Sequence, residues 1–248
     1  MAINTDKNSY TFIFAIIMVA VVGALLAFVS SSLSGTISEN IRLEKQQNIL
    51  YAMGVNNNDE GSVEFISTSE VAQVFNQYIK KQLVIEGDQI SEDNEAFLID
   101  LKKEGERAKN GGERRLPVFI GEKDGKTFYV IPMLGKGLWD AIWGYVALDD
   151  KLVIQGAYFD HKGETPGLGA NIKQRFFMDD FTGESILKND QIVGVKVLKG
   201  NNDPLNNDKL DNEVDALAGA TITGNGLSAM LSDSFKLYEN YLNSILVK

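Results

Sequence analysis

The longest uninterrupted apolar stretch, Thr11 to Val29 (TFIFAIIMVAVVGALLAFV), holds 19 residues without a charge. That is close to the roughly 20 that a helix needs to cross a bilayer. No charged residue lies between Lys7 and Glu39, and a lone helix with no internal charge offers no ion pathway. The stretch is longer than the core of a secretory signal, and Lys7 and the terminal amine are the only positive groups ahead of it, with Asp6 offsetting one. It therefore reads as a retained anchor, although Ser30-Ser31-Ser32 imitates a cleavage site. Those positive groups lie nearer to the span than Arg42, which Glu39 and Glu44 flank. The balance predicts a cytoplasmic N-terminus with the bulk of the chain outside.

Beyond the anchor, apolar positions between Ile37 and Met53 alternate with charge and predict a juxtamembrane helix. Gly54 and the run Asn56 to Gly61 break it as a loop. Val71, Val74, Phe75, Tyr78, Ile79 and Leu83 at helical spacing predict a second helix over 69–83. The charged run Glu104 to Arg115 reads as an exposed loop with no ligand. Leu116–Ile120 and Thr127–Met133, separated by Glu-Lys-Asp-Gly-Lys, predict a hairpin with Pro117 and Pro132 at its ends or on an edge. Further strands are expected at 144–148, 153–159 and 191–197, followed by a polar loop over 201–213. Leu227, Leu231, Phe235, Tyr238, Leu242 and Ile245 form one helical stripe of core residues near the end. The fold class is α+β, with a transmembrane segment in 1–33 and a soluble domain in 34–248.

Composition narrows the chemistry. The chain has 248 residues, 44% hydrophobic and 23% charged, with a net charge of −10. An acidic balance of that size argues against a nucleic-acid surface, which needs clustered Lys and Arg. With no cysteine and a single histidine, His161, the chain by itself forms no disulfide, thiolate nucleophile, iron–sulfur cluster or multi-histidine metal site. Redox chemistry would need an organic cofactor or another subunit.

One stretch stands apart from this charged background. Between Asp215 and Asp233 no side chain is charged. Gly219 and Ala220 allow close approach to the backbone. Thr221 and Thr223 sit where a helix begins, so the first-turn amides could seat a phosphate. Read alone, the stretch is an ordinary capped helix start. Asp215, Gly219, Ala220 and Thr221 also match Asp-x-x-(Ser/Thr)-Gly-Ala-(Thr/Ser), with Ala218 in place of the usual hydroxyl residue. This pattern resembles the flavinylation motif of FMN-binding domains in bacterial respiratory complexes, where the last Thr or Ser carries FMN through a phosphoester.

Two more segments resemble the same family. Gly135-Lys136-Gly137-Leu138-Trp139 matches its Gly-x-Gly-Leu-Trp segment, and Glu164-Thr165-Pro166-Gly167-Leu168-Gly169 matches a flavin-side loop. Without the resemblance, the first is a glycine turn feeding a buried tryptophan and the second a rigid turn. The first also mimics a dinucleotide fingerprint, but Asp140 replaces the third glycine. Together with the anchor, the three segments make the chain similar to the C-subunit family of the Na+-translocating NADH:quinone oxidoreductase. The related G subunit of the RNF electron-transport complex is the alternative, and a non-flavin structural membrane subunit is the alternative from a different class.

The resemblance implies covalent FMN on Thr221, attached by a separate flavin transferase, in a domain on the outer face of the bacterial inner membrane. It implies a cofactor site built from Asp215, Gly219, Ala220, Thr221, Thr223, Leu138, Trp139, Glu164, Thr165, Gly167, Leu168 and Gly169. The partners it implies are the other subunits of a membrane respiratory complex, with no catalytic residue and no metal in this chain.

Overall fold

The computed structural model describes residues 8–200, 203 and 206–247. Lys7 and the terminal amine, on which the expected orientation depends, lie outside the described residues. The chain divides into an N-terminal unit ending at Arg42 and a compact unit from Leu43 onward.

The predicted span and the juxtamembrane helix form one element, α1 (Asn8–Ala52). No proline interrupts it, and its two glycines, Gly23 and Gly35, cost only about 1 kcal/mol each relative to Ala. The serines that imitate a cleavage site are accommodated inside the helix. Ser32 Oγ donates to Phe28 O at 2.8 Å, and Ser38 Oγ to Ser34 O at 2.9 Å, the back-bonding that hydroxyls adopt in helices. The expected boundary after residue 33 therefore falls within a continuous helix. The last turns of α1 are core, with Ile49, Leu50 and Ala52 fully buried.

In the compact unit, a six-stranded antiparallel sheet runs in the order β2-β1-β3-β4-β5-β6. Its strands are β1 (Ile79–Glu86), β2 (Gln89–Glu92), β3 (Arg115–Lys123), β4 (Lys126–Lys136), β5 (Ala141–Leu148) and β6 (Ile154–His161). The end of α1 covers one face, where Met53 lies over Gly121 and Ala52 over Gly156. Helix α5 (Thr221–Leu237) covers the other, with Met230 over Gly135. The apolar stripe expected near the C-terminus is buried throughout. It breaks at Tyr238 into α5 and α6 (Glu239–Leu246).

Two local expectations are corrected. The helix predicted over 69–83 stops early: α2 covers Val71–Tyr78, and Ile79 turns extended to begin β1. Residues 79–86 pair with 121–115 of β3, so ladder hydrogen bonds outweigh the helical spacing. The charged run at 104–115 is a loop only over 110–114; its first half belongs to α3 (Leu101–Lys109), capped by Asp100 Oδ1 on the amides of Lys102 and Lys103. Glu104 is buried and accepts both Arg115 Nε at 2.9 Å and Nη2 at 2.6 Å. The two prolines lie in interior strands, at the open end of the hairpin, which is the first of the two placements expected. Pro117 faces Val84 across β1 and Pro132 faces Tyr145 across β5, while the β3–β4 ladder starts only at Phe119↔Val130. Extending that register sets the prolines opposite each other, so neither breaks a ladder. Tyr238 Oη donates to Pro117 O at 3.1 Å there.

The strand expected at 191–197 is split by Gly194 at φ +79° into β8 (Gln191–Ile192) and β9 (Lys196–Leu198). The short strand β7 (Leu187–Lys188) pairs with β8. Strand β10 (Glu213–Asp215) runs parallel to β9 and leads towards α5. The short helix α4 (Arg175–Asp179) packs near β6, where Phe159, Phe177 and Phe181 meet edge to face.

The loop before β10 is held by Glu184, which is 0% exposed and lies 3.8 Å from Lys209 Nζ. Burial pushes its carboxyl up to about 7, against the pull of Lys209. The folded state therefore holds a proton that the unfolded chain releases near pH 4.5, so this group's contribution to stability falls as pH rises from about 4.5 to 7. Glu184→Gln is expected to remove that slope and to stabilise the protein at pH 7.5 by up to about 3 kcal/mol. Urea unfolding of both proteins at pH 5 and 7.5 checks this; parallel pH dependences would refute it.

Candidate functional site

The three segments singled out in the sequence converge through the sheet topology. The β4–β5 turn carries Gly137 to Asp140 and closes with Gly137 N–H donating to Asp140 O at 2.9 Å. After β6, the chain turns at His161 to Gly169, where the Leu168 and Ala170 amides both donate to Thr165 O at 3.1 Å. From β10 the chain passes through Ala216–Ala220 into α5. Between them lies a cleft of about 230 Å³ lined by Leu138, Glu164, Thr165, Leu168, Gly169 and the stretch Gly219 to Thr223.

Close packing explains two of its glycines. Gly219 has φ +72°, and a Cβ there would lie 2.8 Å from Leu168 Cδ2, so both backbone and space favour glycine. A Cβ on Gly169 would come within 2.6 Å of Glu164 Oε2 and closer still to Thr223 Oγ1.

The hydroxyls of the cleft are not equivalent. Thr223 is 1% exposed and donates to Glu164 Oε2 at 2.5 Å. Thr165 Oγ1 accepts the Trp139 indole N–H at 3.1 Å. Thr221 is exposed, and its side chain makes no hydrogen bond among the described residues. It is the first residue of α5, preceded by Ala220, and no side chain caps the helix. The first-turn amides and the positive end of the helix dipole are thus left for an anion.

Glu164 is 4% exposed. Its Oε1 accepts the Trp139 amide at 2.9 Å, and its own amide donates to His161 Nδ1 at 3.1 Å. Desolvation raises its pKa, but hydrogen bonds from Thr223 and the amides of Trp139, Leu138 and Asp140 outweigh it, holding the carboxyl below its usual range.

Nine of the twelve residues singled out in the sequence line the cleft; Trp139, Gly167 and Asp215 do not. Trp139 flanks it at 67% exposure, tied to Thr165, and is not the buried tryptophan of the turn reading. Gly167 holds the loop at φ +76°. Asp215 ends β10 opposite Leu198, half-buried. Sequence reasoning missed Ile222, an exposed aliphatic in the cleft wall, and the role of His161 beneath Glu164. The three-residue spacing from His161 to Glu164 within a glycine–proline turn was the available signal.

The donor set suits FMN. Uncapped amides and a free hydroxyl meet a phosphate, while exposed Leu138, Trp139, Leu168 and Ile222 offer apolar surface to a ring. This combination, behind an N-terminal helix long and apolar enough to cross a membrane, defines a membrane-anchored FMN-binding protein. The family model for the FMN-binding domain matches residues 137–236. A crystal structure of the C subunit of Na(+)-translocating NADH-quinone reductase from Parabacteroides distasonis is 32% identical, with a TM-score of 0.70 over 85% of this chain and 96% of that one. The chain belongs to this C-subunit family of the Na(+)-translocating NADH-quinone reductase. The C subunit from Pseudomonas aeruginosa is 28% identical, covering 92% of this chain and 91% of the other. The one from Yersinia pestis is also 28% identical, covering 99% and 94%.

Proposed function

We propose that this chain is the flavoprotein subunit that carries electrons within a Na+-translocating NADH:quinone oxidoreductase, through FMN joined by a phosphoester to Thr221. The observation that carries the assignment is the difference among the hydroxyls. Thr223 is buried on Glu164 and the exposed Thr165 is engaged by Trp139, whereas the exposed Thr221 makes no side-chain hydrogen bond among the described residues. In the attachment, a bond forms between Thr221 Oγ and the flavin phosphorus. The hydroxyl proton and the donor's leaving group depart on a separate flavin transferase, so this chain needs no general base.

Bound FMN supplies one- and two-electron transfer; the chain supplies attachment, orientation and electrostatics. The uncapped start of α5 favours the phosphate's negative charge. Leu138, Leu168, Ile222 and Trp139 exclude water from the ring. NADH oxidation, quinone reduction and sodium movement belong to other subunits, consistent with the missing dinucleotide fingerprint and the uncharged anchor. The anchor crosses the bacterial inner membrane once, with residues 34–248 as the FMN-binding domain on the periplasmic side. There a covalent tether prevents loss of FMN by dilution.

Co-expression with a flavin transferase, followed by intact mass after denaturation, tests the reading. One FMN per chain is expected; a bare polypeptide mass would refute it. Trp139→Ala and Leu168→Ala are expected to keep the phosphoester but to open the ring to water. Each should change the visible spectrum and shift the midpoint potential of the attached flavin. Wild-type spectra and midpoints in both variants would remove these residues from the site.

A further inference from the structure

Among the described residues Glu164 is the only charged one in the cleft wall, and it is buried. A carboxylate in such a place is costly unless hydrogen bonds hold it. They do so here: Thr223 Oγ1 donates at 2.5 Å and the Trp139 amide at 2.9 Å. These bonds favour the ionised form and also join α5 to the β4–β5 turn. Among the described residues no ion pair neutralises it; Lys162, two residues earlier, pairs with Asp140 at 3.0 Å. Among the described residues the cleft is therefore built around an anion that no side-chain cation pairs with.

We propose that Glu164 is a fixed negative charge that sets the redox potential of the flavin held at Thr221, while positioning the two walls of its cleft. This rests on the FMN assignment made above. Placing electrons on a cofactor beside an anion that no cation pairs with costs Coulomb energy, and Glu164, at 4% exposure, is itself poorly screened by water. The charge therefore favours oxidised flavin and holds the midpoint low. Glu164 touches no reacting atom; it acts on the potential through its field, while its bonds to Thr223 and Trp139 hold the two walls in place.

The test uses full-length flavinylated protein in detergent, with Glu164→Gln, Glu164→Ala, Glu164→Asp and Thr223→Val as variants. Intact mass after denaturation is measured first, then the midpoint by spectroelectrochemistry. Glu164→Gln keeps the side chain's size and one acceptor oxygen. At a fixed applied potential it should raise the reduced-to-oxidised ratio about tenfold, about 30 mV positive for a two-electron couple. Glu164→Ala is the second neutral variant and is read the same way if the Gln protein does not fold. Glu164→Asp and Thr223→Val retain the charge and should stay near the wild-type midpoint. An unchanged midpoint in the neutral variants, or an equal shift in Thr223→Val, would overturn the electrostatic role. A wild-type chain with no flavin mass would instead overturn the FMN assignment.

Discussion

Thr221→Ala is expected to abolish covalent flavin completely while leaving the fold essentially untouched. The hydroxyl makes no hydrogen bond among the described residues, and the residue is exposed at the first position of α5. Its removal should change stability by no more than about 0.5 kcal/mol. Thr223→Ala should behave in the opposite way. It removes a buried hydrogen bond to the Glu164 carboxylate, at a cost of about 1.5–3 kcal/mol, but leaves the acceptor in place. Mass spectrometry after denaturation, together with urea unfolding, distinguishes the two. A flavin mass retained in Thr221→Ala and lost in Thr223→Ala would move the attachment site to the second threonine.

Gly169→Ala should damage the site strongly with a single added methyl. The added Cβ would come within 2.6 Å of Glu164 Oε2 and still nearer Thr223 Oγ1. Neither neighbour can retreat into solvent, since they are 4% and 1% exposed. Overpacking costs about 1–3 kcal/mol, and parting Thr223 from Glu164 adds a lost charge-assisted hydrogen bond. A loss of about 3 kcal/mol is expected in urea unfolding, with reduced flavinylation because Thr221 begins the same helix turn. A variant within about 0.5 kcal/mol of wild type, carrying a full flavin load, would mean that the Glu164–Thr223 contact is not tightly packed.

The apolar anchor, the buried stripe of α5 and α6 and the motif ending at Thr221 were all legible in the sequence, because each depends on neighbours a few residues away. A 19-residue charge-free stretch is an apolar helix wherever it lies. Residues at helical spacing bury together whatever covers them. Local chemistry failed where a distant partner outweighed it. The helical spacing of Ile79 and Leu83 lost to pairing with β3. The charged run at 104 became a capped helix whose Glu104 is buried against Arg115.

The same division runs through the site. The sequence by itself determined which segments resemble a flavin site and which residue stands in the acceptor's place, since both follow from residue type and spacing. Only the tertiary structure decided that residues 138, 164 and 221 line one cleft. It also separated Thr221 from Thr223, two hydroxyls of the same kind two residues apart. One turn of α5 points the first outward and the second into the core, where the Glu164 carboxylate, 59 residues earlier in the chain, claims it. Helix geometry is local, but burial and the partner that makes it tolerable are set by long-range packing, which no short pattern encodes.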